Sequence, residues 1–217
     1  MINEQSEPAC NAAWPSAVDR EQVLISVIVP AYNYAHLLPR ALDSVFVQWA
    51  ADIELLVVND GSQDNTAEVL AAYQARHPQL QVVQQRNAGA AAARNHGIRL
   101  ARGRYALLLD ADDELVADAF ASLRSVLQAN PQAGLVLGAQ LSVTADGRER
   151  LRLPTPAKGT PAQLIKRYLL EKKISISHCC TLFRRDLLLQ RPYPESLRSG
   201  EDIPVFAYLL VSAPVAL

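Results

Sequence analysis

Short apolar runs alternate with stretches of helical spacing over the first part of this chain. The runs 24–30 (LISVIVP), 53–59 (IELLVVN), 80–84 (LQVVQ) and 104–109 (RYALLL) are brief and largely aliphatic, with polar or turn-forming residues around them. Runs of this length and composition read as strands buried on both faces. Between the first two, Leu37, Leu38, Ala41, Leu42, Val45 and Phe46 recur at helical spacing. Val69, Leu70 and Tyr73 share one side of a segment that starts at Thr66. The alanine-rich stretch 89–101 reads as a helix despite Gly97, and 116–129 as an amphipathic one. Strand and helix thus alternate four times, which predicts an α/β fold: a mainly parallel sheet flanked by helices.

The rhythm changes beyond residue 130. The segment 134–143 predicts a further strand and 144–162 a loop or hairpin. A helix is expected over 162–171, a strand over 174–185 and a helix over 201–211. Residues 1–22 are polar and slightly acidic and read as a flexible lead-in to one domain over 23–217. Its first half runs to about 130 and a smaller second half from 131.

Composition narrows the function classes. A chain of 217 residues, 50% of them apolar, suffices for one sizeable core. Lys and Arg total 21 against 22 Asp and Glu, so no basic surplus points to nucleic acid. The three cysteines include an adjacent pair, Cys179 and Cys180, and suggest neither a disulfide framework nor zinc. The N-terminus lacks the basic start and apolar core of a signal peptide. No apolar run reaches the ~18 residues of a membrane-spanning helix. A cytoplasmic location is expected, with peripheral attachment at the inner face of the membrane left open.

Candidate chemistry follows from the topology. In a parallel sheet, ligands bind outside the carboxyl ends of the strands. Three polar clusters fall there: Pro30-Ala31-Tyr32-Asn33, Asn59-Asp60-Gly61-Ser62 and Asp110-Ala111-Asp112-Asp113. The fold should therefore gather Asp60, Asp110 and Asp112 around one crevice. Asp60-Gly61 alone is also an ordinary turn. A helix cap accounts for Asp112 or Asp113 singly, but leaves three neighbouring carboxylates unexplained. A divalent cation, Mg or Mn, explains the cluster better, because such ions are held by one or two carboxylates plus substrate phosphate oxygens. The expected substrate then carries a diphosphate. No G-x-G-x-x-G spacing or Walker lysine offers another phosphate site.

The stretches VIVPAYN, VVNDGSQDNT, RNAGAAAARNHGI, ARGRYALLLDADD and SGEDI follow one another in an order that resembles glycosyltransferase family 2, inverting enzymes of GT-A fold. The resemblance runs from about residue 25 to 203. It implies that Pro30, Ala31 and Asn33 lie under the nucleotide of a nucleotide-sugar donor. Asp60 would hydrogen-bond the base, usually uracil, and Arg94 would sit by the nucleotide. From spacing alone, Arg94 is equally a solvated helix residue. Asp110 would approach the ribose or sugar, Asp112 would bind the metal, and Asp113 would support or cap. Asp202 would be the general base and Glu201 would position it or touch the acceptor; without the other motifs this pair reads as an acidic helix start. The implied reaction moves a sugar from a UDP-sugar to a hydroxyl of a glycan, lipid-linked or other acceptor, in cell-envelope polysaccharide biosynthesis. The nucleotide-sugar half would be 23–130 and the acceptor side 131–217.

Many members continue beyond the Glu-Asp helix, and this chain lacks the Gln-x-x-Arg-Trp signature of processive synthases. Single-sugar transfer, or a piece of a longer protein, is expected. His178, between apolar neighbours, reads as a hydrogen-bonded structural residue, and Cys179 and Cys180 as packing residues. Two rival readings stand beside the enzyme. One is a non-catalytic nucleotide-sugar binding module. The other is a haloacid dehalogenase-type phosphatase, whose Asp-x-Asp normally ends the first strand rather than the fourth.

Overall fold

Alternate residues of the central strand divide the core in two. The computed structural model describes residues 23–217, so the predicted lead-in 1–22 lies outside the described residues. Strand β1 (Ile25–Ala31) sends Val27 and Val29 into one hydrophobic cluster and Ile28 into another. That is the period-2 alternation of a strand covered on both faces. Helices α1 (Leu38–Phe46) and α2 (Thr66–Arg76) pack on the first side. Helix α3 (Ala90–Leu100) packs on the second. They connect β1 to the parallel strands β2 (Ile53–Asp60), β3 (Leu80–Gln85) and β4 (Tyr105–Leu108) in the order β3-β2-β1-β4. Every position of β2 is buried.

Gly97 sits inside α3 because the helix lies close on the sheet. A Cβ there would come within 2.3 Å of Ile28 Cγ2 and 3.3 Å of Val58 Cγ2. Gly97→Ala should therefore destabilise the domain by roughly 1–3 kcal/mol through overpacking, despite alanine's better helix propensity. A urea midpoint equal to or above that of the unmodified chain would show that α3 is not seated this tightly.

The amino ends of the strands are held by a buried carboxylate. Glu54 in β2 accepts hydrogen bonds from the Ser26 hydroxyl, the Arg102 amide, Arg102 Nε (2.9 Å) and the Gly103 amide (3.1 Å). A buried charge needs this many donors, and they fix the turn into β4.

The second half departs from the predicted elements in instructive ways. Helix α4 (Ala119–Ala129) starts three residues later than predicted, and β5 (Leu135–Leu137) ends early. At Gly138 the amide donates to the Cys180 carbonyl at 2.7 Å, where a Cβ would sit 2.6 Å from that oxygen. The chain then leaves the main sheet, and β6 (Gln140–Val143) pairs with β7 (Glu149–Arg152) in a separate hairpin. The predicted helix over 162–171 is α5 (Pro161–Ile165) running into a π-helical turn, Lys166–Leu170. Of the predicted strand 174–185, only β8 (Thr181–Arg184) is paired. Ile174 and Ile176 explain the apolar alternation before it, because they pack against Leu164 and Leu210 rather than joining a ladder.

Helix α6 (Arg185–Gln190) and strand β9 (Val215–Ala216) were not predicted; six and two residues are too short for periodicity to register. Helix α7 (Ile203–Ser212) lies between them. The completed sheet reads β3-β2-β1-β4-β8-β5-β9, with β8 antiparallel to both neighbours.

Candidate functional site

The turns after β1 and β2 are tied together. Asn33 adopts a left-handed backbone (φ +59°), which asparagine tolerates better than most residues. Its Oδ1 accepts from the Gln63 amide at 2.7 Å, and its own amide donates to Ser62 Oγ at 3.0 Å. Asn59 Oδ1 in turn accepts from the Ser62 amide. Asn33 thus holds the two loops in register and is not a wall of the crevice they border.

Asp60 ends β2 and is buried. Its Oδ1 accepts from Gln85 Nε2 (2.7 Å) and the Ala88 amide (2.8 Å), and Oδ2 accepts from the Gly89 amide (2.8 Å). These bonds fix the loop leading into α3. Oδ2 takes one hydrogen bond among the described residues and retains acceptor capacity.

The carboxyl ends of β1, β2 and β4 enclose a crevice of about 310 Å³. Pro30, Ala31 and Tyr34 line it from the first turn, Asp60 from β2, and Asp110, Ala111 and Asp112 from the loop after β4. Helix α3 contributes Ala90, Ala93 and Arg94, one face at i, i+3 and i+4. The alanines leave room that longer side chains would fill. Tyr34 and this alanine pair were missed in the sequence; the i, i+3 spacing of small residues beside Arg94 was the available signal. The Tyr34 hydroxyl is held above its ordinary pKa by Asp112, then burial, then Asp110.

Arg94 is not the solvated helix residue that spacing alone allowed. It is 7% exposed, and its guanidinium donates to Asp110 Oδ1 at 3.1 Å and to Glu201 Oε1 at 3.0 Å. Burial works against the charge, but Asp110 and then Glu201 outweigh it and keep Arg94 ionised. This clamp joins α3, the β4 loop and the segment before α7, residues 107 positions apart at the extremes.

The Glu-Asp pair is split by this arrangement. Glu201 belongs to Arg94. Asp202 is the N-cap residue of α7, so the helix starts after the pair, and its carboxylate accepts no hydrogen bond among the described residues. Its charge is felt by Tyr168, raised by burial and Asp202 to about 12, and by buried Tyr193. His178 packs against Tyr193 and Phe206 at ring separations of 5.5 and 5.1 Å. Burial and then Arg94 push it down to about 4, against the pull of Asp110, Asp202 and Glu201. It is neutral at pH 7, and its Nε2 is buried without a partner among the described residues, where a structural hydrogen bond was expected.

Cys179 does more than pack. Its thiol donates to Asp110 Oδ2, and its sulfur accepts from the Asp110 amide, both at 3.4 Å. Asp110, Asp113 and Cys179 place possible ligand atoms within 4.8 Å of one another. They suit a hard cation poorly: a thiol is a soft ligand, and both Asp110 oxygens are engaged. Asp112 suits one better. It is exposed at the crevice and accepts no hydrogen bond among the described residues, so its oxygens can meet a cation together with substrate oxygens. Asp113 turns to a second cavity of about 290 Å³, shared with Leu115, Leu123 and Leu141.

Known proteins resemble this chain in sequence and in fold. The family model described as Glycosyl transferase family 2 covers residues 26–191. The succinoglycan biosynthesis protein ExoO of Rhizobium meliloti is 31% identical over 214 residues, covering 93% of this chain and 58% of ExoO. Among solved structures, S. aureus TarS in complex with UDP-GlcNAc superposes with a TM-score of 0.71 at 23% identity, covering 89% of this chain and 55% of that one. The mannosyltransferase PcManGT of Pyrobaculum calidifontis, in complex with GDP-Man and Mn2+, gives 0.65 at 21% identity, with 95% and 58% covered. At these identities the structures show the fold, GT-A. The chain spans 30% and 31% of the first two curated relatives it matches. With the family match extending over most of the chain, from β1 through α6, this domain belongs to glycosyltransferase family 2.

Proposed function

We propose that the domain transfers a sugar, with inversion, from a UDP-sugar to an acceptor hydroxyl. The observation that carries this reading is the division of labour in the Glu-Asp pair: Glu201 is locked to Arg94, while the Asp202 carboxylate is left without a donor. Asp202 accepts the acceptor proton as that oxygen bonds to the anomeric carbon, and the bond from that carbon to the diphosphate breaks on the opposite face. Pro30 and Ala31 lie against the nucleotide, and Asp60 Oδ2 accepts from the base. Arg94 holds Asp110 at the sugar side. Asn33, under the nucleotide, also fixes the loops around it. Manganese or magnesium held by Asp112 would supply neutralising charge for the departing diphosphate.

The UDP-GlcNAc in the TarS structure and the Mn2+ in the mannosyltransferase structure support the donor and cation classes. The phosphatase alternative loses its ground, since Asp-x-Asp ends the fourth strand and the family is another. The acceptor is a hydroxyl of a glycan, a lipid-linked or another acceptor, for envelope polysaccharide synthesis. The expected compartment is the cytoplasm, in keeping with the two described cysteines, which are free thiols. No described helix is long and apolar enough to cross a membrane.

Nucleotide recognition and metal binding are separable by calorimetry. Asp60→Ala should weaken uridine and UDP alike, by roughly tenfold for one lost hydrogen bond to a charged group. Asp112→Ala, or a chelator, should weaken UDP much more than uridine, which has no phosphates. Equal losses for uridine in both variants would overturn these roles, and binding without turnover of any UDP-sugar would make the domain a binding module.

A further inference from the structure

We propose that the β6–β7 hairpin and the basic stretch after it dock the domain on an anionic lipid surface. The hairpin stands outside the main sheet. Its register pairs Leu141 with Leu151 and Val143 with Glu149, so one face carries Leu141, Val143, Leu151 and, two residues on, Leu153, with Glu149 at the turn end of the same face. These side chains are 41, 61, 61 and 72% exposed. The opposite face carries Arg150 and Arg152, whose guanidinium groups make no ion pair or hydrogen bond among the described residues. Residues 140–173 hold eight Lys and Arg against Asp146, Glu149 and Glu171, a surplus of five positive charges in a chain whose total is −1. The remainder of the chain therefore carries six negative charges, and the asymmetry is built into one segment. Arg167 keeps that segment together, donating to the Pro156 and Lys158 carbonyls at 2.9 Å.

Exposed aliphatic side chains on one face of a projecting hairpin and unpaired cations on the other match edge-on entry into a surface that is anionic at its headgroups and apolar beneath them. A second copy of the chain fits worse, because a two-fold interface would bring two such positive faces together. Single-stranded nucleic acid fits worse again, since the hairpin offers no aromatic ring for stacking. The hairpin reaches the second cavity, where Leu141 lies with Asp113, and Tyr168, in the π-helical turn of the same basic stretch, lies near Asp202. Docking would turn the acceptor side toward the lipid.

The test is co-sedimentation of the full chain with vesicles of phosphatidylcholine alone or mixed with phosphatidylglycerol, and needs no sugar transfer. Binding is expected only with phosphatidylglycerol and should fall with added salt. The variant Arg150→Gln/Arg152→Gln/Lys158→Gln should lose roughly a hundredfold in partitioning. The variant Val143→Ser/Leu151→Ser/Leu153→Ser should lose at least about tenfold. All six positions are exposed, so folding, checked by circular dichroism, should persist. Equal binding to both vesicle types, unchanged binding by either variant, or a serine variant that alters only the oligomeric state would overturn the proposal.

Discussion

Asp202→Asn should fold, bind a UDP-sugar with near-normal affinity, and transfer sugar at least about a hundredfold more slowly. The asparagine keeps the shape of the side chain, and Asp202 makes no side-chain cap hydrogen bond to α7 that the change could break. What the asparagine cannot do is accept the acceptor proton. General-base assistance contributes roughly 10²–10⁴ in rate, whereas a solvated carboxylate at a helix start contributes only to stability. The two roles therefore separate cleanly in a comparison of binding by calorimetry, thermal stability and transfer rate. Near-normal transfer by the folded variant would move the base elsewhere. Glu201 would be the next candidate, although it would first have to release Arg94.

Arg94→Met should lower stability by about 2–3 kcal/mol and reduce transfer as well. Removing the guanidinium leaves Asp110 and Glu201 facing each other with no shared cation. Breaking a buried ion pair from one side costs about 3–5 kcal/mol. The figure is reduced here because the Asp110 and Glu201 side chains are 34% and 19% exposed, so water screens part of the loss. For a domain of this size the shift corresponds to roughly 5–10 °C in Tm. Arg94→Lys should recover only part of it, since an ammonium cannot reach two carboxylates with a planar fork. Unchanged thermal unfolding in Arg94→Met would mean that the clamp contributes nothing net.

The two halves of the chain differed in how far their elements could be read. Strands β1 to β4 are local objects. Each is a short, largely aliphatic run, covered on both faces in β1, β2 and β4 and partly exposed at the edge in β3; each is followed by a helix whose apolar residues recur at 3–4 positions, and the predicted bounds fall within three residues of those observed. The stretch 174–185 shows the same apolar alternation, yet only Thr181–Arg184 pairs. Alternation reports burial, and here the burial of Ile174 and Ile176 comes from helices rather than from strands. The break at Gly138 depends on a carbonyl from residue 180, a partner that local pattern cannot supply.

The crevice itself follows from the sequence, because strands that run parallel must deliver Pro30, Asp60, Asp110 and Asp112 to one edge. Which carboxylate is free does not follow. Asp112 and Asp113 are neighbours of the same type, but they face two different cavities. Glu201 and Asp202 are likewise adjacent, and only the first meets Arg94. Asn33 reads as a nucleotide contact, and only the fold shows that its oxygen also accepts from the Gln63 amide and ties two loops together. The chain's pattern therefore determined the strand–helix order and the edge at which chemistry gathers, since those depend on periodicity and chirality. Tertiary structure alone decided which charges are paired and which remain available, since that depends on contacts between residues as far apart as 94 and 201, set by packing.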